Sequence, residues 1–170
     1  MSHATAQVPK VRKRPALAPR FNNEGVNTAE LKSSIGFSLR RAQLSTYSDF
    51  LHFMKRLQVR PSQFAVLVLI HSNRGISPSV LSFTLGIQKA NFVSFIDELA
   101  SRGLVERRRL PQDRRAVALH LTRRGETFTK KIQAAHAKLE KALATRLGPR
   151  DSALFLGFLN RFADAAHPEA

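Results

Sequence analysis

The stretch of residues 77–122 constrains the fold more than any other part of the chain. It begins with Ser77-Pro78, a hydroxyl that can cap a helix followed by a proline suited to the first helical turn. The pattern then predicts a short helix over residues 79–85 and a second over residues 88–102, each ended by a glycine that can adopt a left-handed conformation. Two helices joined by a tight turn that contains glycine are typical of a helix-turn-helix.

A basic hairpin is predicted directly after these helices. Residues 104–106 and 117–121 have the composition of strands, and the segment between them contains Pro111 and Asp113, which favour turns. A helix-turn-helix followed by a hairpin is a winged helix, in which both parts can reach one DNA surface. The arginines around the predicted tip are Arg108, Arg109, Arg114 and Arg115.

A set of residues around this hairpin carries a family resemblance. It consists of Leu99, Arg102-Gly103-Leu104-Val105, Arg107, Asp113-x-Arg115 and Leu121-Thr122, with a new helix after the last pair. In this combination the chain resembles the MarR family of bacterial transcription regulators over roughly residues 30–162. The resemblance implies a mainly α fold, a winged helix-turn-helix with a small β hairpin, and a helical dimerisation region formed by both chain ends.

The distribution of charge points to a nucleic acid. The formal net charge is +16, which favours a polyanionic partner. Residues 1–23 hold five cations and no acid, and residues 77–124 hold nine cations and four acids. Charge concentrated in these two parts favours double-stranded DNA over an anionic membrane surface.

The location of the protein is predicted from what its sequence lacks. Cysteine is absent, so disulfides are excluded. No apolar run approaches the ~20 residues of a membrane span, and the first residues lack the apolar core of a secretory signal. We therefore expect a soluble cytoplasmic protein with no membrane partner.

One domain with a basic arm is the predicted organisation. Three prolines among basic residues indicate that residues 1–27 are disordered, either as a solvated leader or as an arm that strengthens DNA binding by neutralising phosphates. Residues 28–166 are predicted to form a single domain, with residues 61–122 as the winged-helix lobe and residues 28–57 and 123–166 as dimerisation helices. Apolar spacing over residues 31–57 predicts a helix of up to ~27 residues, about 40 Å long. A small domain cannot cover such a helix, so we expect a second copy to bury part of it.

The second helix of the predicted motif, residues 88–102, has two distinct faces on a helical wheel. The sector expected in the core holds Phe92, Phe95, Ile96 and Leu99. On the other side, Asn91 can form paired hydrogen bonds with adenine, although an ordinary solvated helix surface is the alternative. The family pattern often has an arginine near position 94, so Ser94 argues against direct guanine readout there. The residues that can reach base edges are Lys89, Ala90, Asn91, Val93 and Ser94.

The predicted wing suits contacts with phosphates and groove shape. Asp113 can orient one guanidinium through paired hydrogen bonds. Neighbouring guanidinium groups are then free to enter a minor groove, where narrow A·T-rich DNA concentrates negative potential. A solvated charged hairpin is the alternative. The candidate DNA-binding residues of the wing are Arg108, Arg109, Asp113, Arg114 and Arg115.

The resemblance also implies a site for a small effector between the long first helix, the second helix and the dimer helices. Family members bind phenolic compounds or aromatic carboxylates there, and the block of residues 85–99 looks closest to a subgroup that senses aromatic acids or their CoA thioesters. Aromatic rings beside arginines suit an aromatic anion, but a helix core with snorkelling arginines explains the same residues equally well. The candidate positions are Phe37, Arg40, Arg41, Tyr47, Phe50 and Phe64.

Catalytic signals are missing from the sequence. Its six histidines show no spacing typical of a metal site, and it contains no glycine-rich phosphate loop or nucleophile elbow. The acids are few, twelve in all, so a catalytic carboxylate pair is not expected. We therefore predict no enzyme activity, no cofactor and no metal.

The sequence as a whole predicts a sequence-specific transcription regulator. The expected mode of action is a homodimeric repressor that binds a pseudo-palindromic operator and is released by a small ligand. The alternative is a nucleic-acid architectural protein without sequence specificity. A regulator should prefer its operator to random DNA by ~10³ or more, which separates the two classes. An RNA-binding protein is a third class, but no exposed aromatic stacking pattern is visible.

Overall fold

The computed structural model describes residues 26–110 and 113–165, and it describes only the backbone of Leu110, Asp113, Arg114, Arg115 and Pro149. Most of the predicted basic arm, residues 1–27, lies outside the described part. The described elements, in chain order, are α1 (Ala29–Ser33), α2 (Ile35–Met54), α3 (Pro61–Ser72), α4 (Pro78–Thr84), α5 (Lys89–Ser101), β1 (Val105–Leu110), β2 (Asp113–Leu121), α6 (Arg123–Leu147) and α7 (Pro149–Ala165).

The chain divides into two compact units, with the boundary between Ser48 and Asp49 inside α2. In the first unit the predicted single long helix is wrong, because Ser34 has an extended backbone (φ −81°, ψ 128°) that separates α1 from α2. The two serines here bond locally to the backbone: the Ser33 hydroxyl donates to the Glu30 carbonyl oxygen at 2.7 Å. Such bonds compete with the hydrogen bonds of a continuing helix. The helix is therefore interrupted at a position where hydrophobic periodicity alone predicts no interruption.

The core of the second unit collects apolar residues from the end of α2, from α3 to α6 and from the hairpin. Part of the apolar stripes expected at a dimer interface is instead buried within this one chain, in the core where α3 packs against α6. Phe50 and Met54 of α2 and Ile132 and Leu139 of α6 are buried in this way. The other buried members include Val66, Leu67, Ile70, Leu81, Phe92, Ile96, Leu99, Leu104, Val105 and Leu119.

The two strands form an antiparallel hairpin that extends further into the arginine-rich segment than predicted. Its register runs from Val105 opposite Leu121 to Arg109 opposite Val117, with an irregularity at the tip. Backbone pairing does not depend on apolar side chains, which is why the strands continue beyond the apolar residues that marked them in the sequence. An isolated bridge between Ile76 and Leu119 joins the hairpin to the segment before α4.

The start of α6 is joined tightly to the turn that ends α5. The Thr122 hydroxyl accepts a hydrogen bond from the Gly125 N–H at 2.9 Å and donates one to the Gly103 carbonyl oxygen at 2.6 Å. The Thr122 N–H also donates to the Leu104 carbonyl oxygen at 3.1 Å. This threonine therefore caps α6 and holds it against the base of the hairpin.

Within the described ranges, no helix combines the length and the apolar character that crossing a membrane requires.

Candidate nucleic-acid interface

The face of α5 expected to read DNA is exposed. Phe92, Ile96 and Leu99 are buried and Phe95 packs against the core, so the predicted inner sector is confirmed. The predicted opposite sector points away from the core because the helical period of ~3.6 residues separates the two faces. Its exposed residues are Lys89, Ala90, Asn91, Val93, Ser94, Asp97 and Ser101.

Hydrogen bonding near the start of α5 affects what these residues can offer a base. The Ser94 hydroxyl donates to the backbone carbonyl oxygen of Asn91 at 2.8 Å, which leaves the Ser94 hydroxyl oxygen free to accept a hydrogen bond. Among the described residues, the Asn91 side chain makes no hydrogen bond, so both its amide donor and its carbonyl acceptor are available. Val93 is 57% exposed and offers an apolar surface that fits a thymine methyl group.

An ion pair that was not predicted joins α5 to the wing. Arg107 Nη1 lies 2.6 Å from Asp97 Oδ1, and both side chains are partly exposed. Such an exposed pair is worth about 0.2–1 kcal/mol, so its main effect is on geometry and local charge. The pair neutralises the negative charge of Asp97 on the exposed face of α5. The two residues are ten positions apart, a separation with no local sequence signal.

The wing arginines are not equivalent. Both Nε and Nη2 of Arg108 donate to Glu106 Oε1, with Nε at 2.9 Å, because residues two apart on a strand share one face. Arg109 is exposed and has no acid partner among the described residues. The predicted role of Asp113, and the side chains of Arg114 and Arg115, lie outside the described residues. Glu106 therefore holds the Arg108 guanidinium through two hydrogen bonds to one carboxylate oxygen.

Two of the predicted effector residues meet in an aromatic cluster of the second unit. The ring centroids of Phe50 and Phe64 are 5.9 Å apart in an edge-to-face arrangement. His136 of α6 stacks on Phe64 with centroids 4.3 Å apart, and its Nε2 lies 3.4 Å from Glu140 Oε1. His136 was missed by sequence reasoning, although its spacing of four residues to Glu140 is a recognisable pattern on a helix.

A second contact reinforces this cluster. Arg146 Nη2 of α6 lies 2.8 Å from Oδ2 of Asp49, the buried residue that precedes Phe50. The end of α2 is therefore tied to α6 by an ion pair and by ring contacts at consecutive positions.

The remaining predicted effector residues lie on α2 in the first unit. Arg40 and Tyr47 are exposed, and Phe37 and Arg41 are half-buried. Their spacing places all four on one side of the helix. The structure thus brings Phe50 and Phe64 together with His136, and it places Phe37, Arg40, Arg41 and Tyr47 along a single helix in the other unit.

The fold and the exposed helix face beside a basic hairpin define a winged helix-turn-helix DNA-binding protein. The sequence model of the MarR family matches residues 59–117. The structure of the transcriptional repressor CouR bound to a 23-mer DNA duplex is 37% identical, with a TM-score of 0.78, and the match covers 81% of this chain and 97% of that one. The chain therefore belongs to the MarR family. The predicted family and the mainly α, winged-helix fold class are confirmed.

Two further relatives extend this comparison. CouR bound to p-coumaroyl-CoA is 34% identical over the same coverage, with a TM-score of 0.74. A protein of Thauera aromatica, named for transcriptional regulation of the hcr operon, is 27% identical over 77% of this chain and 80% of its own length. Because members of the family are transcription regulators, the prediction that the chain is not an enzyme is also confirmed.

Proposed function

We propose that this protein is a cytoplasmic, homodimeric repressor that binds a pseudo-palindromic operator and is released by an aromatic carboxylate or its CoA thioester. The observation that carries the proposal is the exposed, hydrogen-bonding face of α5 beside a basic hairpin, in a chain 37% identical to a repressor bound to DNA. The CoA thioester is the finer part of the proposal, and it is supported by the likeness to CouR bound to p-coumaroyl-CoA.

In this proposal the two parts of the lobe have different tasks on DNA. Lys89, Ala90, Asn91, Val93 and Ser94 meet base edges in the major groove, where each base pair presents a distinct pattern. The wing meets phosphates and groove shape, through Arg108, Arg109, Arg114 and Arg115, with Asp113 as an orienting acid. The basic arm of residues 1–27 adds phosphate neutralisation.

The proposed dimer surface is the apolar face of α7. Several large side chains of this helix remain exposed in the single chain, and exposed apolar patches of this size mark interaction surfaces. In the proposed dimer, residues 28–57 and 123–166 of a second copy would cover these side chains. Residues 28–166 of each copy are proposed to form a single domain. The exposed residues on this face are Leu154, Phe155, Phe158 and Phe162.

The proposed effector residues supply two kinds of chemistry. In the second unit, Phe50 and Phe64 form an aromatic cluster with His136, which suits stacking with an aromatic ring. In the first unit, Arg40 and Arg41 carry guanidinium groups suited to a carboxylate or to the phosphates of CoA, near Phe37 and Tyr47 on the same helix. Each unit is tested separately by substitution.

Calorimetry tests the effector part of the proposal. The titrants are p-coumarate, p-coumaroyl-CoA and a panel of other aromatic acids, each with and without a duplex selected by the wild-type protein. A ~100-fold loss of DNA affinity on ligand binding corresponds to about 2.7 kcal/mol of coupling, and reciprocity requires the same factor in ligand affinity. A ligand affinity that is the same with and without the duplex would contradict the proposed release from DNA by the ligand.

Absence of binding for every titrant would remove the proposed ligand class. Phe64→Ala should weaken the aromatic contribution, and Arg40→Ala the anionic one. A wild-type protein that binds selected and random duplexes equally would instead favour the architectural alternative.

A further inference from the structure

Gln63, in the first turn of α3, is a polar residue buried in the core. Its side chain is only 1% exposed. The Arg60 N–H donates to Gln63 Oε1 at 3.1 Å, and Gln63 Nε2 donates to Glu98 Oε1 of α5 at 2.8 Å. The amide therefore bonds its own helix start at one end and α5 at the other. A buried amide satisfied at both ends has little freedom to move without losing a hydrogen bond.

The partner residue, Glu98, lies on the same side of α5 as Asn91. Glu98 lies seven residues after Asn91, which is about two helical turns, so both side chains leave the same flank of the helix. The preceding residue, Asp97, lies about 100° around the helix and pairs with Arg107 of the wing. That second pair is exposed and open to screening by salt, whereas the Gln63 amide is shielded from water.

We propose that Gln63 is a positioning residue for DNA recognition, acting through Glu98 to set the rotation of α5 about its axis. The base edge that Asn91 meets depends on this rotation, because the residue projects from the flank that the hydrogen bond holds. The inference rests on the proposed DNA-binding function and deepens it, since neither residue is expected to touch DNA.

The position of Gln63 also gives it a link to the effector cluster. The next residue, Phe64, stacks on His136. A ligand that displaces the Phe64 ring acts on the same helical turn that holds Glu98. A change in the aromatic cluster can therefore reach α5 through Phe64 and Gln63, two consecutive residues of α3.

The test compares Glu98→Ala with Glu98→Gln. Both variants remove the same negative charge, but only glutamine retains an oxygen that can accept the bond from Gln63. Affinity is measured for a duplex selected from a random library by the wild-type protein, and for a random-sequence duplex of the same length at the same salt concentration. We expect Glu98→Ala to bind the selected duplex about tenfold more weakly than Glu98→Gln, the scale of one base contact. The two variants should bind the random duplex equally.

A stability effect alone would not change the ratio of affinities for the two duplexes, provided that both variants are folded at the assay temperature. Glu98 is exposed, so both should fold, and thermal melting checks this. Equal affinity of the two variants for the selected duplex would overturn the positioning role. A wild-type protein that does not distinguish the duplexes would remove the proposed function itself, which is a different result.

A second pair of variants tests whether Glu98 acts through Gln63. In a Gln63→Leu background, the difference between Glu98→Ala and Glu98→Gln should disappear, because neither side chain then has a buried donor to meet. A tenfold difference that persists in this background would assign the effect of Glu98 to another partner and would also overturn the proposal.

Discussion

Gly125 and Leu104 meet backbone to backbone: a Cβ atom at Gly125 would lie 1.9 Å from the Leu104 carbonyl oxygen. Leu104 follows the turn that ends α5, and Gly125 lies in the first turn of α6. Together with the three hydrogen bonds of Thr122, this contact joins the DNA-binding lobe to the long helix α6. The two elements have no room for a side chain between them.

Substitution of Gly125 therefore tests the tightness of this joint. Gly125→Ala should lower the free energy of unfolding by about 3 kcal/mol, because the backbone of Leu104 cannot move aside cheaply. Gly36→Ala is the matched control, since nothing lies within 4 Å of a Cβ there and alanine should stabilise the helix by up to ~1 kcal/mol. Denaturant unfolding measures both, and equal effects would contradict the close contact.

The proposed dimer is tested on α7. Phe158 is 58% exposed, and the Arg161 guanidinium lies over its ring, 4.9 Å from the centroid. Phe158→Glu therefore removes only this surface contact within the chain, but it would bury a charge in the proposed interface. We expect a dimer for the wild type and a monomer for this variant in sedimentation at micromolar concentration. Asn160→Glu, on the opposite side of the helix, should remain dimeric. A wild-type chain that sediments as a stable monomer would show that the proposed assembly is wrong.

The operator is predicted to have two-fold symmetry. Two recognition helices related by the dimer axis should engage half-sites about one helical turn apart, ~34 Å. Footprinting on the selected duplex should therefore reveal two protected half-sites in a pseudo-palindrome. Protection of a single isolated half-site would contradict this arrangement.

Substitutions in α5 and in the wing should have different consequences for DNA binding. Asn91→Ala should cost about 1–3 kcal/mol on the selected duplex and relax preference at one or two base positions. Its affinity for random DNA should be unchanged, and equal losses on both duplexes would remove Asn91 from the residues that read bases.

The wing variants should weaken binding to every sequence. Arg109→Ala, Arg114→Ala and Arg115→Ala should each lower the dependence of log Kd on log salt by about one, because each removes a phosphate contact. Arg108→Ala should have a smaller effect, since its guanidinium already bonds to Glu106. A salt dependence unchanged in all four variants would place the wing away from the phosphates.

The extent of prediction from sequence differs between local and long-range features. The bounds of α4 and α5 agree with the prediction to within a residue, because proline, serine and glycine at their ends act on their own backbone. The prediction of one long first helix was wrong at Ser34, because local hydrogen bonds of the serines there compete with those of a continuous helix. The hairpin is longer than predicted because its outer pairs place Arg108 opposite Ala118 and Arg109 opposite Val117, and a run of arginines has no strand pattern.

The sequence by itself determined the family, the winged fold and which face of α5 is exposed, since helical period and end signals depend on neighbours within a few residues. Only the tertiary structure decided the pairing of Gln63 with Glu98, 35 residues apart, and the stacking of Phe64 on His136. It also decided that Phe50 is buried within the chain while Phe158 is left exposed. Periodicity shows that a helix has an apolar face, but what covers that face depends on how separate helices cross.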